Sequence, residues 1–590
     1  MAHHGLGRHG LAHHGLARHG ASGPVCPKLR AMTAPVRPAS QAPARPVHRR
    51  PVLIALMTAM ALAAVDTTIV STAIPQVVRD LGGFSLFSWV FSSYLLTQTV
   101  TIPICGKLAD QWGRKPVLIV GTVVFLAGSA LCASSTTMVS LILFRGLQGI
   151  GAGGVQATVN TLAGDLYDLS ERGRVQGWLA SVWGISAVIG PALGGSLAQY
   201  ASWRWIFLIN LPVGAATIGL LLRYLHENVQ RTRHRIDVAG AAAMFVAAGA
   251  LIFGLLQGGV AWAWWSVPSG LVFAVALAAT VLAVVAEHRA AEPILPPWFW
   301  RSRALAGSAA AGFGLGVLVI GPTTFLPTYG QAVLGLGAVA AGGVLAAMSI
   351  GWPLATSQSA RLFLRAGFRA TQVTGAVICL AGVGAFLVGP QPPPLWQPVV
   401  ETFVLGAGLG LLSVASIVGA QSTVSWGQRG VVTGTVMFTR YLGQSLGAAI
   451  FGAIFNAALI GKLHGAPAAL RHRLPAQVSG VATALARPQE LGRAAEDYLR
   501  AALATATTHV YAALTVVAAL TIAGALLIMP KHFSTTAGES ASTGPGEAGP
   551  AGTGTSGTGT SEAGHGEPGH GEPGHGGPGG ADGGPAEKTE

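Results

Sequence analysis

Two ionisable residues stand inside apolar runs of this chain. Asp66 interrupts the run from Val52 to Pro75 in the stretch "AVDTTIVSTAIP", residues 64–75, and Arg145 interrupts another in "LILFRGLQGIGAGG", residues 141–154. A run of that length is a membrane-helix candidate, and a charge near the middle of a bilayer costs about 3 kcal/mol on insertion scales. An acid or a base at such depth therefore points to a functional site with a partner. Asp66 lies about fifteen residues past His48-Arg49-Arg50, roughly 22 Å into a bilayer about 30 Å thick. Arg145 lies about sixteen residues from the inner end of a run that travels the other way, which brings it to about 24 Å. An acid and a base at one depth can share a cavity and offset each other's burial cost. A carboxyl so placed can hold a proton or face a cationic substrate, but not both at once. Mutual exclusion at one group is the chemistry that couples a proton flow to the movement of another solute.

The elements that must position these groups follow from composition. The chain has 590 residues, 51% hydrophobic and 10% charged, against roughly 25% charged in an ordinary soluble domain. Its mean hydropathy of +0.54 is diluted by two polar tails, residues 1–50 and 531–590, so the middle is more apolar still. The net charge of +14 does not come with a basic stripe interleaved with aromatics, and the chain is expected to bind no nucleic acid. The arginines sit between apolar segments, where topology explains them. The cysteines Cys26, Cys105, Cys132 and Cys379 share no metal or redox spacing and read as packing residues. The repeats "HHGLGRHGLAHHGLARHG" and "GHGEPGHGEPGHGGPGG" read as disordered spacers rather than metal sites, because Gly and Pro at this density cannot pre-organise ligands. No apolar signal-peptide core precedes residue 50, and Met32 is an alternative start.

Long apolar runs predict helices over 52–75, 87–106, 116–135, 138–161, 174–199, 204–223, 236–257, 266–286, 304–329, 337–358, 369–389, 397–420, 430–456 and 509–529, which makes fourteen. With both tails in the cytoplasm, sixteen Lys and Arg fall in short inner loops and two, Arg79 and Arg204, in short outer ones. That bias sets the orientation, and the long outer loop 457–508 escapes the rule.

Further motifs lie on this frame. In "GKLADQWGRKP", residues 106–116, Gly106 and Gly113 permit a tight reversal while Asp110 can cap a helix or pair with Arg114 or Lys115. Gly-Ile-Gly-Ala-Gly-Gly at 149–154 formally matches a dinucleotide fingerprint, but no strand precedes it, so Gly149 and Gly153 read as a face for close helix contact. In "WGISAVIGPALGGSLAQY", residues 183–200, Pro191 removes a helical donor and bends the helix, and Gly184, Gly190, Gly194 and Gly195 leave a flat face. Trp89, Tyr94, Gln98, Gln148, Gln156 and Asn160 are candidates for an apolar cavity with scattered aromatics and amides. Arg440 is either part of that cavity or a donor to backbone carbonyls, and Glu401 reads as interfacial.

Taken together, "GKLADQWGRKP", the Gly-x5-Gly-Pro-x2-Gly-Gly string, "WRWIFLINLPVG" at 203–214, "AVDTTIVSTAIP" and "TRYLGQSLGAAIFG" at 439–452 resemble the major facilitator superfamily. Within it they resemble the fourteen-helix drug:proton antiporters, with Val65 and Ser71 departing from the usual first-helix string. The resemblance implies an all-α membrane protein: a six-helix bundle over 51–229, two inserted helices over 230–290 and a second six-helix bundle over 291–530. It implies that Gly106, Asp110, Gly113, Arg114 and Lys115 latch the two halves on the cytoplasmic side. The Pro191 motif is the one that the family's exporters carry. The resemblance also makes the first and fourth helices neighbours, which puts Asp66 beside Arg145 as the proton-coupling pair. The implied activity is proton-driven export of lipophilic, often cationic, compounds across the cytoplasmic membrane by a monomer, powered by the proton motive force with no bound cofactor or metal. Proton-coupled import of another solute, and a non-transporting sensor or scaffold, are the alternatives. The chain is expected not to be an enzyme, since its loops show no nucleotide loop, metal constellation or nucleophile with a base.

Overall fold

In lipid the backbone must satisfy its own hydrogen bonds, and the long apolar runs do so as helices. The computed structural model describes residues 49–82, 86–227, 238–259, 262–290, 293–390, 393–475, 481 and 491–531. Both His/Gly-rich tail repeats, Cys26 and Met32 lie outside them. Among the described residues there is no strand, and eleven helical spans are long and apolar enough to cross a membrane.

The first set of helices comprises α1 (Arg49–Leu81), α2 (Phe87–Trp112), α3 (Arg114–Ala133), α4 (Met138–Leu166), α5 (Leu169–Tyr200), the short α6 (Trp205–Leu208) and α7 (Asn210–Tyr224). Two further helices follow, α8 (Val238–Gln257) and α9 (Val267–Arg289), which pair with each other. After α10 (Pro297–Arg301) come α11 (Arg303–Ala332), α12 (Ala338–Val388), α13 (Trp396–Ser422), α14 (Arg429–His464), α15 (Ala468–Arg471) and α16 (Arg493–Leu527).

Several boundaries differ from the hydropathy reading for identifiable reasons. The expected helices 337–358 and 369–389 run further than apolarity alone places them and meet at Gly367, whose φ of 82° separates the two halves of α12, a backbone state that glycine enters without strain. The expected helix 204–223 is divided at Ile209 into α6 and α7. The expected outer loop 457–508 is partly helical, since α14 runs on to His464 and α16 begins at Arg493. Leu459, Leu463, Leu499 and Leu503 hold these extensions together in a shared apolar cluster, so the helices persist where lipid no longer demands them. α2 is not among the eleven spans, because Thr97, Gln98, Thr99 and Thr101 dilute its apolarity while turning inward.

Helices α1 to α7 pack mainly among themselves, as do α11 to α16. The two sets meet along a seam, chiefly α2 against α14 and α5 against α12, with α4 also reaching α14 and α5 reaching α13. The α8–α9 pair touches both α2 and α14 at one flank of that seam.

Candidate functional site

Asp66 sits on α1 at 0% exposure. Its Oδ2 accepts from Arg145 Nη1 at 2.5 Å, an ion pair between two fully buried side chains. Its Oδ1 accepts from Gln148 Nε2 at 2.8 Å and from Asn210 Nδ2 at 3.3 Å. Arg145 is satisfied in turn: Nη1 also donates to Gln148 Oε1 at 2.8 Å, Nε donates to the Val90 carbonyl at 3.2 Å, and the guanidinium lies 4.2 Å over the Tyr94 ring. Ser129 Oγ accepts from Gln148 and Asn210 and donates to the Phe207 carbonyl at 3.0 Å. This closed network ties α1, α2, α3, α4 and α7 together in the interior of the first set. A buried ion pair is tolerated when its remaining lone pairs and protons are filled, and here both carboxylate oxygens and the arginine Nε and Nη1 have partners.

The sequence candidates divide on this geometry. Gln148 and Tyr94 serve the acid and its arginine rather than an open wall. Trp89 packs against Phe253 of α8, ring centroids 4.9 Å apart. Gln156 Nε2 donates to the Tyr441 hydroxyl at 3.1 Å, across the seam from α4 to α14; the Asn160 backbone carbonyl accepts from Gln421 Nε2 at 3.0 Å, while the Asn160 side chain donates to the Gln156 carbonyl of its own helix. Gln98 is buried with its Nε2 unpaired. Glu401, read as interfacial, is 6% exposed and accepts from Gln397 Nε2 at 2.8 Å. It begins one turn inside α13, and the neighbouring helices cover it where a lone helix would leave it wet. Sequence reasoning missed Ser129 and Asn210; each is a polar residue in an otherwise apolar stretch, the same signal that marked Asp66, but without charge.

A second cluster lies at one end of the seam. Asp110 Oδ1 accepts from the Gly430 N–H at 2.9 Å and Oδ2 from the Val431 N–H at 2.8 Å, capping the first turn of α14 with a negative charge. Gly106 and Gly430 abut so closely that a Cβ on either would strike the other's carbonyl oxygen. Arg114 donates to Asp110 Oδ1 and to Asp165 Oδ2, both at 2.9 Å, and its guanidinium lies 3.5 Å over Trp426. Arg429 donates to Asp165 Oδ1 at 3.0 Å. Gly113 turns the chain at φ 97°, and the Arg114 and Lys115 N–H groups donate to the Glu227 carboxylate at 2.9 and 2.7 Å. Asp110 lies past the apolar part of α2, and burial pushes its carboxyl up to about 7 against the pull of Arg114 and the two amides. Asp165, Glu227 and Trp426, all partners of this loop, carried no signal in the sequence because they are distant along it.

The glycines around Pro191 also divide. Gly190 and Gly194 face α1, where a Cβ would strike Thr68 and Thr72 or Ile69; Gly184 faces Ser349 of α12; Gly195 faces open space. α5 continues as one helix through Pro191. Thr68 Oγ1 donates to the Ser186 carbonyl at 2.9 Å, so α5 is pressed onto α1 two residues from the acid.

The sequence model of the Major Facilitator Superfamily matches residues 56–448. The chain is 35% identical over 432 residues, 73% of its length and 80% of the relative's, to a Bacillus subtilis protein named "Multidrug transporter protein MdtP". It is 33% identical over 454 residues, 75% of its length and 86% of the relative's, to "Multidrug resistance protein 3" of the same organism. The human organic anion transporter MFSD10 superposes with a TM-score of 0.55 at 15% identity, covering 82% of this chain and 100% of that one, a likeness of fold alone. With its helical spans and these relatives, the chain belongs to the Major Facilitator Superfamily of multi-pass membrane transporters.

Proposed function

We propose that the chain is a proton-driven exporter of lipophilic compounds in the cytoplasmic membrane, with both termini inside. The observation that carries this is the Asp66–Arg145 pair, fully buried and joined to α1, α2, α3, α4 and α7 by hydrogen bonds. The names of the relatives, "Multidrug transporter" and "Multidrug resistance protein", support a drug-like cargo. Fourteen crossings fit the architecture: the eleven apolar spans become twelve when α12 is divided at Gly367, and α2 and the shorter apolar α8 complete the count. Two six-helix bundles with α8 and α9 inserted between them are the corresponding arrangement.

The geometry alters how coupling works. Asp66 is sealed within the first set, so cargo in the seam does not touch it in this conformation. Protonation of the acid instead removes the charge that Arg145, Gln148 and Asn210 converge on, and loosens the helices they tie together. Each elementary charge moving inward gains about 2.3 kcal/mol per 100 mV of membrane potential, enough to drive such rearrangements. The test is Asp66→Asn in inverted vesicles. The variant is expected to insert normally yet show no substrate-dependent proton movement; exchange at the wild-type rate would overturn the proton role.

A further inference from the structure

Arg145 and Arg440 are both arginines deep in the membrane, and the structure treats them oppositely. Arg145 has a carboxylate, an amide oxygen and a carbonyl as acceptors. Arg440, on α14, has no hydrogen-bond acceptor among the described residues, and its Nε is buried and unpaired. It lies eleven residues after Arg429, about 16 Å along the helix, near the middle of a bilayer about 30 Å thick. Its one described contact is the Trp352 ring of α12, 5.1 Å from the guanidinium. Helices α14 and α12 carry most of the contact between the second set and the first. A side chain reaching from one towards the other therefore lies on the inner face of the seam, not in lipid.

The neighbours are polar but uncharged. Tyr441, the next residue, is held by Gln156 from α4, whose Oε1 is itself buried and unpaired. Gly316 of α11 lies against the Arg440 backbone and contributes no side chain. The most buried carboxylates among the described residues are engaged elsewhere: Asp66 by Arg145, Asp110 by Arg114, Asp165 by Arg114 and Arg429, Glu287 by the Ile294 and Leu295 amides, and Glu401 by Gln397. A guanidinium in low dielectric demands an anion, and the described residues supply none here.

We propose that Arg440 is the recognition point for an acidic group on the cargo, so that the transported compounds include lipophilic molecules bearing one carboxylate, phenolate or enolate. This rests on the export reading above and revises its cargo away from cations. The planar guanidinium takes a carboxylate through two parallel N–H bonds, and the Trp352 ring gives an aromatic body a face to lie on. The charge movement follows: a proton travelling inward and an anion travelling outward move charge in the same electrical direction. Exchange of an acid is therefore driven by membrane potential, whereas exchange of a monocation for one proton is electrically silent.

The test uses the full chain with pyrenebutyrate, its methyl ester and ethidium as probes. In purified protein, Arg440→Gln is expected to weaken pyrenebutyrate binding about tenfold or more, the effect of removing one partner of a desolvated charge pair. Arg440→Lys, a point charge without the fork, should recover part of the loss. In vesicles, the ratio of pyrenebutyrate to methyl ester export should fall in Arg440→Gln, and pyrenebutyrate export should rise with imposed potential. Binding unchanged in Arg440→Gln, or wild-type export of the ester and ethidium but not of pyrenebutyrate, overturns the inference and leaves the export reading intact. Arg440-dependent binding without export of any probe overturns the export reading while the anion site stands.

Discussion

Gln148 reaches four partners in the buried network, whereas Asn210 reaches two: Gln148 donates to Asp66 and Ser129 and accepts from Arg145 and the Cys132 thiol, while Asn210 donates to Asp66 and Ser129. A buried acceptor left without its donor costs about 1–3 kcal/mol, more when it is charged. Gln148→Leu is thus expected to lower thermal stability in detergent more than Asn210→Leu, and equal midpoints for the two variants would contradict the ranking. Counting residues along two helices puts Asp66 and Arg145 at one level, and the structure joins them. Counting cannot supply Ser129 or Asn210, because neutral polar residues are tolerated in membrane helices for many reasons and depth alone does not choose among them. Nor does it separate Arg440 from Arg145, since whether a buried arginine is satisfied depends on helices far away in sequence.

At the scale of elements, loop 106–116 was legible as a compact charged turn, but its partners Asp165, Glu227, Trp426 and the start of α14 were not, because they converge only on folding. Asp110 gives this clasp a pH dependence. With burial holding its carboxyl at about 7 when clasped and a solvated aspartate titrating near 3.9, the clasped state binds the extra proton between those values. Its relative stability is therefore full below about pH 4 and is lost as pH rises through about 7. Hydrogen exchange across residues 106–116 and 429–436, corrected for its intrinsic pH dependence, should report more opening at pH 8 than at pH 6. Asp110→Asn should abolish that difference, and a response that survives in the variant would assign it to another group. Helix ends were the least legible features: apolarity located the membrane-spanning part of α14 and α16, while the leucine contacts that prolong them belong to a tertiary cluster.

For the whole molecule, the all-helical membrane class was written in composition, since 10% charge over 590 residues leaves few other solutions. How the helix sets meet was only partly so, because Gly106 and Gly184 stand in recognisable motifs while nothing along the chain says which helix Gly173, Gly177 or Gly430 faces. At Gly177 of α5 a Cβ would lie 3.0 Å from the Ser357 Cβ of α12, close to the spacing a disulfide bridges after a small adjustment. In a background lacking native cysteines, Gly177→Cys with Ser357→Cys should cross-link under oxidation and stop transport if the helix sets must separate there. Reduction should restore it; undiminished transport with the link formed would place the movement elsewhere.

The clasp and the unsatisfied arginine share a single rod. Gly430 and Val431, whose amides hold Asp110, stand about 15 Å from Arg440 on the same unbroken helix. Such a lever transmits a tilt or slide without any relay of side chains between its ends. Whatever frees the Gly430 end of α14 swings the buried guanidinium with it, and an anion that pulls on that guanidinium is felt at the clasp.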